Sequence, residues 1–373
     1  MEVKVKSKEL NTEVGYAVSI IEQKVTIPIL SHISLKSERN FLEIASTDLD
    51  VTFKTKIPCE TIVEGGIAVN SKNLSPVIKG FLEDGELILK LTPERKLKIS
   101  AVKRKADYLF NTLPQEDYPR LLEPEEKGIT LSYEVFRSMV REALVSSGKE
   151  DTRFSVVGLL FVLEKNRLTM VSTDSHRLSV SSRVCDFNIE NTIRVIVPKK
   201  VLLEALKLEK SETINIFIKD SQIFFLSGDR ILYSRLKDFK FPAYEKVIPN
   251  DVTNVVTVDK SKFVEVINRL LYLADAESRG IHIEIKKDGT MHLEARNDAG
   301  EGGEEIFEVL SYSGEDVRVA LNGEYLLEFC SSIGDDKILI KLKDSSSQCL
   351  LEALREQSEN ICQNVVMPLR TES

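Results

Sequence analysis

The sequence predicts an α+β protein built from three tandem copies of one domain, and three observations carry that prediction. The stretch VPKKVLLEALKLEKSETINIFI, residues 197–218, has a counterpart at 69–91, VNSKNLSPVIKGFLEDGELILKL, and another at 321–342, LNGEYLLEFCSSIGDDKILIKL. Each copy reads strand end, helix, short break, strand. The apolar positions of the three helices superpose: Leu74, Val77 and Ile78, then Leu202, Ala205 and Leu206, then Leu326, Phe329 and Cys330, the i, i+3, i+4 stripe of a helix buried on one face. The step from Leu74 to Leu202 is 128 residues and from Leu202 to Leu326 is 124, far longer than a solenoid repeat and suited to whole domains.

The first third opens with a strand at 2–6 and a helix with stripe Leu10, Val14, Ala17, Val18 and Ile21, for which Ser7 is the expected N-cap. Strands at 32–37, 41–45 and 51–57 follow, separated by polar turns that suit hairpins. The repeated stretch comes next, then strands at 97–102 and 106–110. Residues 113–128, with Pro114, Pro119, Pro124 and a charge run, read as a linker. The second third repeats the plan: helix stripe Phe136, Met139, Val140, Ala143 and Leu144, strands at 158–164, 167–172 and 178–183, the repeated stretch, strands at 223–227 and 231–236, and a Pro-containing linker at 239–251. In the last third Asp259 caps a helix with stripe Phe263, Val266, Ile267 and Leu270, and strands are expected at 282–286, 291–296 and 304–309. The domains are therefore placed at 1–127, 128–253 and 254–373. Smaller echoes keep the register: Ser46-Thr47-Asp48 returns as Ser172-Thr173-Asp174 and, loosely, as Arg296-Asn297-Asp298, while Tyr118-Pro119, Phe241-Pro242 and Met367-Pro368 mark the domain ends. Each domain is itself two β/α half-units, giving six helices in all.

A chain of 373 residues with 42% hydrophobic residues is globular. Its net charge of −8 gives no bulk signal of a nucleic-acid partner. The helix regions carry Lys72, Lys79, Arg137, Arg141, Lys149, Lys199, Lys200, Lys207 and Arg269, which a solvated helix face explains equally well. Cys59, Cys185, Cys330, Cys349 and Cys362 are odd in number and widely spaced, as expected of inert thiols in a reducing compartment. The N-terminal MEVKVKSKEL has no apolar h-region and no run approaches the length of a membrane span, so a cytosolic location is expected.

A search for chemistry returns little. Gly300, Gly302 and Gly303 stand among Glu301, Glu304 and Glu305, which repel a phosphate, so a strand-entry turn is expected there. Asp48 and Asp50 have no third ligand near in sequence and read as a solvated strand end. Asp174-Ser175-His176-Arg177 has three readings: an Asp–His pair supporting a nucleophile, a turn anchored by Asp174, or a binding surface. No nucleophile elbow accompanies the pair, and a polar His–Arg rim beside Leu178 favours the binding surface. No catalytic residue, metal site or cofactor is expected.

Seven marks stand in order on the threefold repeat: Thr26-Ile27-Pro28-Ile29-Leu30, Thr47-Asp48-Leu49, Asn111-Thr112-Leu113-Pro114, Thr173-Asp174-Ser175-His176-Arg177-Leu178, Val195-Ile196-Val197-Pro198, Phe241-Pro242 with Tyr244, and Val365-Val366-Met367-Pro368-Leu369-Arg370. In that order and spacing the whole chain resembles the bacterial sliding clamps, the β subunit of the replicative DNA polymerase III. The resemblance implies three DNA-clamp domains per chain, helices lining the inner face, antiparallel sheets outside, and a head-to-tail homodimeric ring. Such a ring encircles double-stranded DNA and, as a non-catalytic processivity factor, tethers the DNA polymerase III alpha subunit. The clamp loader, other polymerases and repair proteins would bind it through short peptide motifs, with no membrane involved. Twelve helices at roughly 9 to 10 Å spacing span a circle about 35 to 38 Å across. Less one helix thickness of about 10 Å, that leaves a bore wider than a duplex of roughly 20 Å. A protein held by topology needs no strong phosphate binding, which accommodates the negative net charge.

Residue by residue, the resemblance implies DNA contacts at Lys24, Lys149, Lys199 and Lys200, with Glu150 departing from the family's uncharged polar residue. It implies a dimer contact of Tyr272 and Leu273 with Tyr108. It also implies a partner-peptide groove from Val156, Thr173, Ser175, His176, Arg177, Leu178, Pro242, Val247, Val365, Met367, Pro368, Leu369 and Arg370. That groove would receive a peptide with a glutamine and two or three large apolar side chains. Leu321 replaces a phenylalanine, the polar stretch LREQSENICQN precedes the last strand, and residues 371–373 extend past the usual end as a tail that could modulate the groove. Two other classes compete: a peptide-binding scaffold that does not encircle DNA, and a tandem-domain enzyme of nucleic-acid or sugar metabolism, which would need a convergent acid/base or metal cluster.

Overall fold

The computed structural model describes residues 1–22, 26–124, 128–149, 156–187, 189–355 and 359–370. Among the described residues there are six α-helices, each following directly on a strand: α1 Ser7–Ile20, α2 Ser71–Lys79, α3 Tyr133–Leu144, α4 Lys199–Ala205, α5 Lys260–Leu271 and α6 Gly323–Ser332. The stripes of α5 and α6 are buried as expected, and Asp259 caps α5 by accepting from the Lys262 N–H at 3.0 Å. Two expectations for α1 need correction. Its buried face is Leu10, Glu13, Val14, Tyr16, Ala17 and Ile20, because the helix stops at Ile20 and leaves Ile21 and Val18 only partly covered. Lys6, not Ser7, holds the N-cap position; Ser7 is buried, and its hydroxyl donates to the Leu82 carbonyl at 3.4 Å. In the shorter repeated helices Val77 and Leu206 are likewise half-buried, Leu206 lying beyond the end of α4.

The chain divides into two compact units, Met1–Tyr133 with Lys200–Leu236, and Glu134–Lys199 with Lys237–Ser373, so the division runs through the middle repeat. The reason is strand pairing. In the first unit a twelve-stranded sheet runs from the first repeat into the second, where the strand Val51–Val63 pairs antiparallel with Arg230–Arg235 (Val51 opposite Ser234, Lys54 opposite Ile231). In the second unit a nine-stranded sheet passes from the second repeat into the third, where Arg177–Val184 pairs with Ile361–Val366. A four-stranded sheet of the third repeat completes that unit, with Gly302–Glu308 at one edge.

Each junction also buries a carboxylate against arginine. In the first unit Glu13 on α1, 3% exposed, accepts two bonds of 2.9 Å from Arg230, whose guanidinium also faces the Tyr16 ring. In the second, Glu142 on α3 accepts from Arg183 (two at 2.7 Å), Arg355 (2.7 Å) and the Ser181 hydroxyl (2.6 Å), and Arg355 reaches on to Asp335. Glu142 also is 3% exposed. Buried charges of this kind are tolerated only when paired, which fixes the geometry of the elements that carry them, although one terminal nitrogen of Arg355 is buried without a partner among the described residues.

Candidate functional site

The turn between the strands Arg167–Thr173 and Arg177–Val184 positions the predicted polar rim. The Asp174 carboxylate accepts the backbone N–H groups of His176 (3.1 Å) and Arg177 (3.0 Å), and the Thr173 hydroxyl accepts from Ser175 N–H (3.3 Å) while donating to the Arg177 carbonyl (2.9 Å). Ser175 takes a left-handed conformation, φ 77°, which puts it and His176 in solvent at the tip. The turn and binding-surface readings are therefore compatible: Asp174 builds the turn that presents His176.

Arg177 is more committed than a free anchor. Its Nε donates to the second Asp174 oxygen at 3.0 Å, one terminal nitrogen donates to Glu328 on α6, and the guanidinium lies 4.1 Å from the centre of the Tyr325 ring. Burial, followed by the Asp174 carboxylate, raises the Tyr325 phenol above its ordinary value. Cation–π contact with Tyr325 and the Glu328 carboxylate hold the arginine against α6, while Asp174 holds it to its own turn.

The apolar part of the site is one cluster: Val156, Leu178, Val365, Tyr244 and Leu350 are buried, with Val247, Ile248 and Phe241 partly buried against them. Leu178 faces Val365 across the sheet. Val156 and Val365 are at most 1% exposed, so they form the layer beneath the surface, while Val247, Pro242 and Pro368 are half-buried and Met367 stands 41% exposed at the rim. The Met367 N–H donates to the His176 carbonyl at 2.9 Å, extending the strand pairing by one bond and setting the two rim residues side by side. Leu369 leaves this cluster: its N–H donates to the Ala320 carbonyl at 2.8 Å and its side chain lies over Gly280. Arg370 is exposed. Tyr325, Glu328 and Ile248 were not foreseen. The Arg177–Glu328 bond joins residues 151 apart, a pairing without any local signal.

The remaining predicted residues are distributed over both units. Tyr108, 45% exposed, meets Phe81 edge-on at 5.4 Å, on the strand Asp107–Pro114. In the other unit Tyr272 is 89% exposed, Leu273 is half-buried near Gly303, and Ile306 on the edge strand Gly302–Glu308 is 73% exposed. Lys149 is exposed and Lys199 half-exposed. Lys200 keeps its side chain 41% exposed and places its ammonium between Asp48 and Glu22 (2.9 Å to Glu22). Asp48 in turn is no solvated strand end: its carboxylate accepts the N–H groups of Asp50 (2.9 Å) and Val51 (2.6 Å), the same turn that Asp174 builds. Lys24, Glu150 and the tail 371–373 lie outside the described residues, as does part of the polar stretch before the last strand. Among the described residues no group of three or more His, Cys, Asp or Glu could hold a metal ion, and no helix is long and apolar enough to cross a membrane.

Repeated α+β domains whose sheets run on through their junctions, with a rimmed apolar cluster at one junction, define the class of DNA-clamp folds. Family profiles agree in order along the chain: DNA polymerase III beta subunit, N-terminal domain, over residues 1–122, central domain over 130–243, and C-terminal domain over 245–370. The beta sliding clamp of Pseudomonas putida is 29% identical over 94% of this chain and 95% of its own. That of Rickettsia bellii is 28% identical over 99% of this chain and 100% of its own. The crystal structure of the Pseudomonas aeruginosa sliding clamp bound to griselimycin superposes with a TM-score of 0.92 at 26% identity, covering 100% of both chains. The chain belongs to the DNA polymerase III beta subunit family, the bacterial beta sliding clamps.

Proposed function

We propose that two copies of this chain close head to tail around duplex DNA as a non-catalytic processivity factor, and that the Met367–His176 rim with its apolar cluster holds short peptides of the polymerase and other partners. The observation that carries the ring is the edge left over by the repeat. Each junction within the chain joins a strand from the first half of one repeat to the last strand of the next: Val51–Val63 to Arg230–Arg235, and Arg177–Val184 to Ile361–Val366. By the same rule the third repeat offers Gly302–Glu308, an open sheet edge, and the first repeat offers the start of Asp107–Pro114, where residues 107–111 pair on one side with Lys96–Ala101 and only 112–114 pair on the other with Gly65–Asn70. A second copy supplies the missing partner, covers both edges and brings Tyr272, Leu273 and Ile306 against Tyr108.

The domains are taken as 1–127, 128–253 and 254–373, and Lys24, Lys149, Lys199 and Lys200 as DNA-facing. The protein works in the cytoplasm, where the DNA is. In the groove, burial of one leucine and one phenylalanine of a partner peptide contributes about 1.5 to 3 kcal/mol each. After the ordering costs, micromolar affinity is expected.

Retention on DNA tests the ring. Loaded on a nicked circle, the protein should persist in moderate salt and leave when the circle is cut; equal lifetimes on circular and linear DNA would overturn topological binding, since an ordinary phosphate binder ignores linearisation. Calorimetry tests the groove: Met367→Ala should weaken a short peptide carrying a glutamine, a leucine and a phenylalanine while the dimer persists. Undiminished affinity would remove Met367 from the site.

A further inference from the structure

The first junction contains a counterpart of the peptide groove, built on the same hydrogen bonds. The Thr47 hydroxyl accepts from Leu49 N–H (3.0 Å) and donates to the Val51 carbonyl (3.2 Å), as Thr173 does with Ser175 and Arg177. Leu49 stands left-handed at φ 81°, Ser175 at φ 77°. The Arg235 N–H donates to the Asp50 carbonyl at 3.2 Å, as Met367 N–H donates to His176. Asp50 and Arg235 therefore occupy the places that His176 and Met367 hold in the groove, and Pro119 stands where Pro242 does.

Between that turn and the segment Pro119–Leu122 lies a cavity of about 140 Å³. Tyr233, Thr47 and Thr52, all buried, make its floor; the two threonine hydroxyls bond each other at 2.7 Å and the Tyr233 hydroxyl accepts the Leu122 N–H at 2.9 Å. With the threonine hydroxyls paired and the Tyr233 oxygen taking the Leu122 N–H, the floor offers an occupant an aromatic ring and methyl groups, and Gln222 and Asp50 complete the lining. An apolar cavity of about 150 Å³ accommodates a benzene-sized group, so this one fits a single medium side chain. The mouth is apolar on two sides, with Leu49 48% and Leu122 37% exposed. Arg120 and Arg235 also line it; both are exposed, and among the described residues neither has an ion-pair partner. A leucine held in the left-handed region is uncommon, because Gly, Asn or Asp takes that conformation at lower cost. Here it projects an apolar side chain into solvent beside an apolar cavity.

We propose that this cavity is a second peptide site, which takes one leucine-sized side chain with a neighbouring carboxylate from an extended segment of a partner protein. The inference rests on reading the Met367–His176 rim as a peptide groove, and differs from it in ligand: two arginines here replace selection by glutamine with selection for an acidic neighbour, Asp50 disfavouring a second carboxylate on its side. Rim charges of this kind discriminate more than they bind.

Methyl-resolved NMR on the full-length dimer tests it with N-acetyl-leucyl-glutamate as probe. The Leu49, Leu121 and Leu122 methyls should shift saturably at millimolar ligand. N-acetyl-leucyl-lysine should bind about fivefold more weakly, near the limit of what exposed ion pairs supply. Arg120→Gln with Arg235→Gln should erase that preference, and Met367→Ala should leave both titrations unchanged. No saturable shift, equal response to the two dipeptides, or loss of response in Met367→Ala would overturn the proposal. The glutamine-containing peptide, titrated in parallel, reads the groove through Leu178. If it moves Leu178 while the acidic dipeptide moves nothing, the second site falls and the groove stands; if Leu178 stays still, the groove reading falls by itself.

Discussion

The two junctions inside the chain share a backbone and differ in what their side chains do with it. At the first, the Asp48 oxygen not used by the turn binds Lys200 on α4, so the turn is tied to a helix. At the second, the corresponding Asp174 oxygen binds Arg177 of its own turn, and that arginine stacks on Tyr325. The carboxylates beneath differ likewise: Glu13 faces Arg230 with Lys210 3.5 Å away, whereas Glu142 holds two guanidiniums at once. Repetition preserves the hydrogen bonds that make a turn, because backbone groups must be satisfied whatever the side chains are. Side chains that only neutralise one another are free to diverge.

The largest effect is expected from the buried carboxylates. Glu142→Ala strands two buried guanidiniums and should cost roughly 3 to 5 kcal/mol, read as a lowered urea midpoint. Glu13→Ala strands mainly Arg230 and should fall nearer the lower end of that range; a larger loss than for Glu142→Ala would reverse the ranking of the junctions. Next come the turn aspartates. Asp174→Ala and Asp48→Ala each remove two accepted N–H bonds and should cost about 1 to 3 kcal/mol. Only Asp174→Ala should also weaken the glutamine-containing peptide, by about tenfold, and equal peptide affinity in the two variants would show that turn geometry does not position the groove. The smallest effect concerns Lys200. Burial alone lowers its pKa, but hydrogen bonds to Asp48 and Glu22 more than offset this and hold it above the ordinary 10.5. A cationic group with a raised folded pKa contributes stability in full below pH about 10.5, lost as pH climbs through the folded value. The difference in melting temperature between the natural protein and Lys200→Met should therefore be constant at neutral pH and shrink only above that point; a difference that shrinks already between pH about 7 and 9 would rule the ion pair out as its cause.

Much of this molecule is written in local pattern. The six helices, the hairpin strands, the threefold period and the Thr-Asp turns are legible because a helix stripe, a strand alternation and an Asx-type turn each depend on residues within a few positions of one another. Local pattern also misleads locally: Ser7 precedes the stripe as a cap would, yet the helix begins at Ser7 itself and its hydroxyl turns to Leu82, 75 residues away. Lys200 reads as a free cation on a helix until Asp48, 152 residues earlier, is brought beside it.

By itself, the sequence determined the α+β class and the three repeats, since each is a property of composition and spacing, while the groove around His176 and Met367 came only as what the family resemblance implies. Tertiary structure alone decided which repeat edges join, that Arg177 belongs as much to α6 as to the groove, that Leu369 turns away to Ala320, and that an ionic lock sits under each junction. Those features are pairings between residues far apart in the chain. A buried charge chooses its partner by the geometry of the closed fold, which no window along the sequence contains.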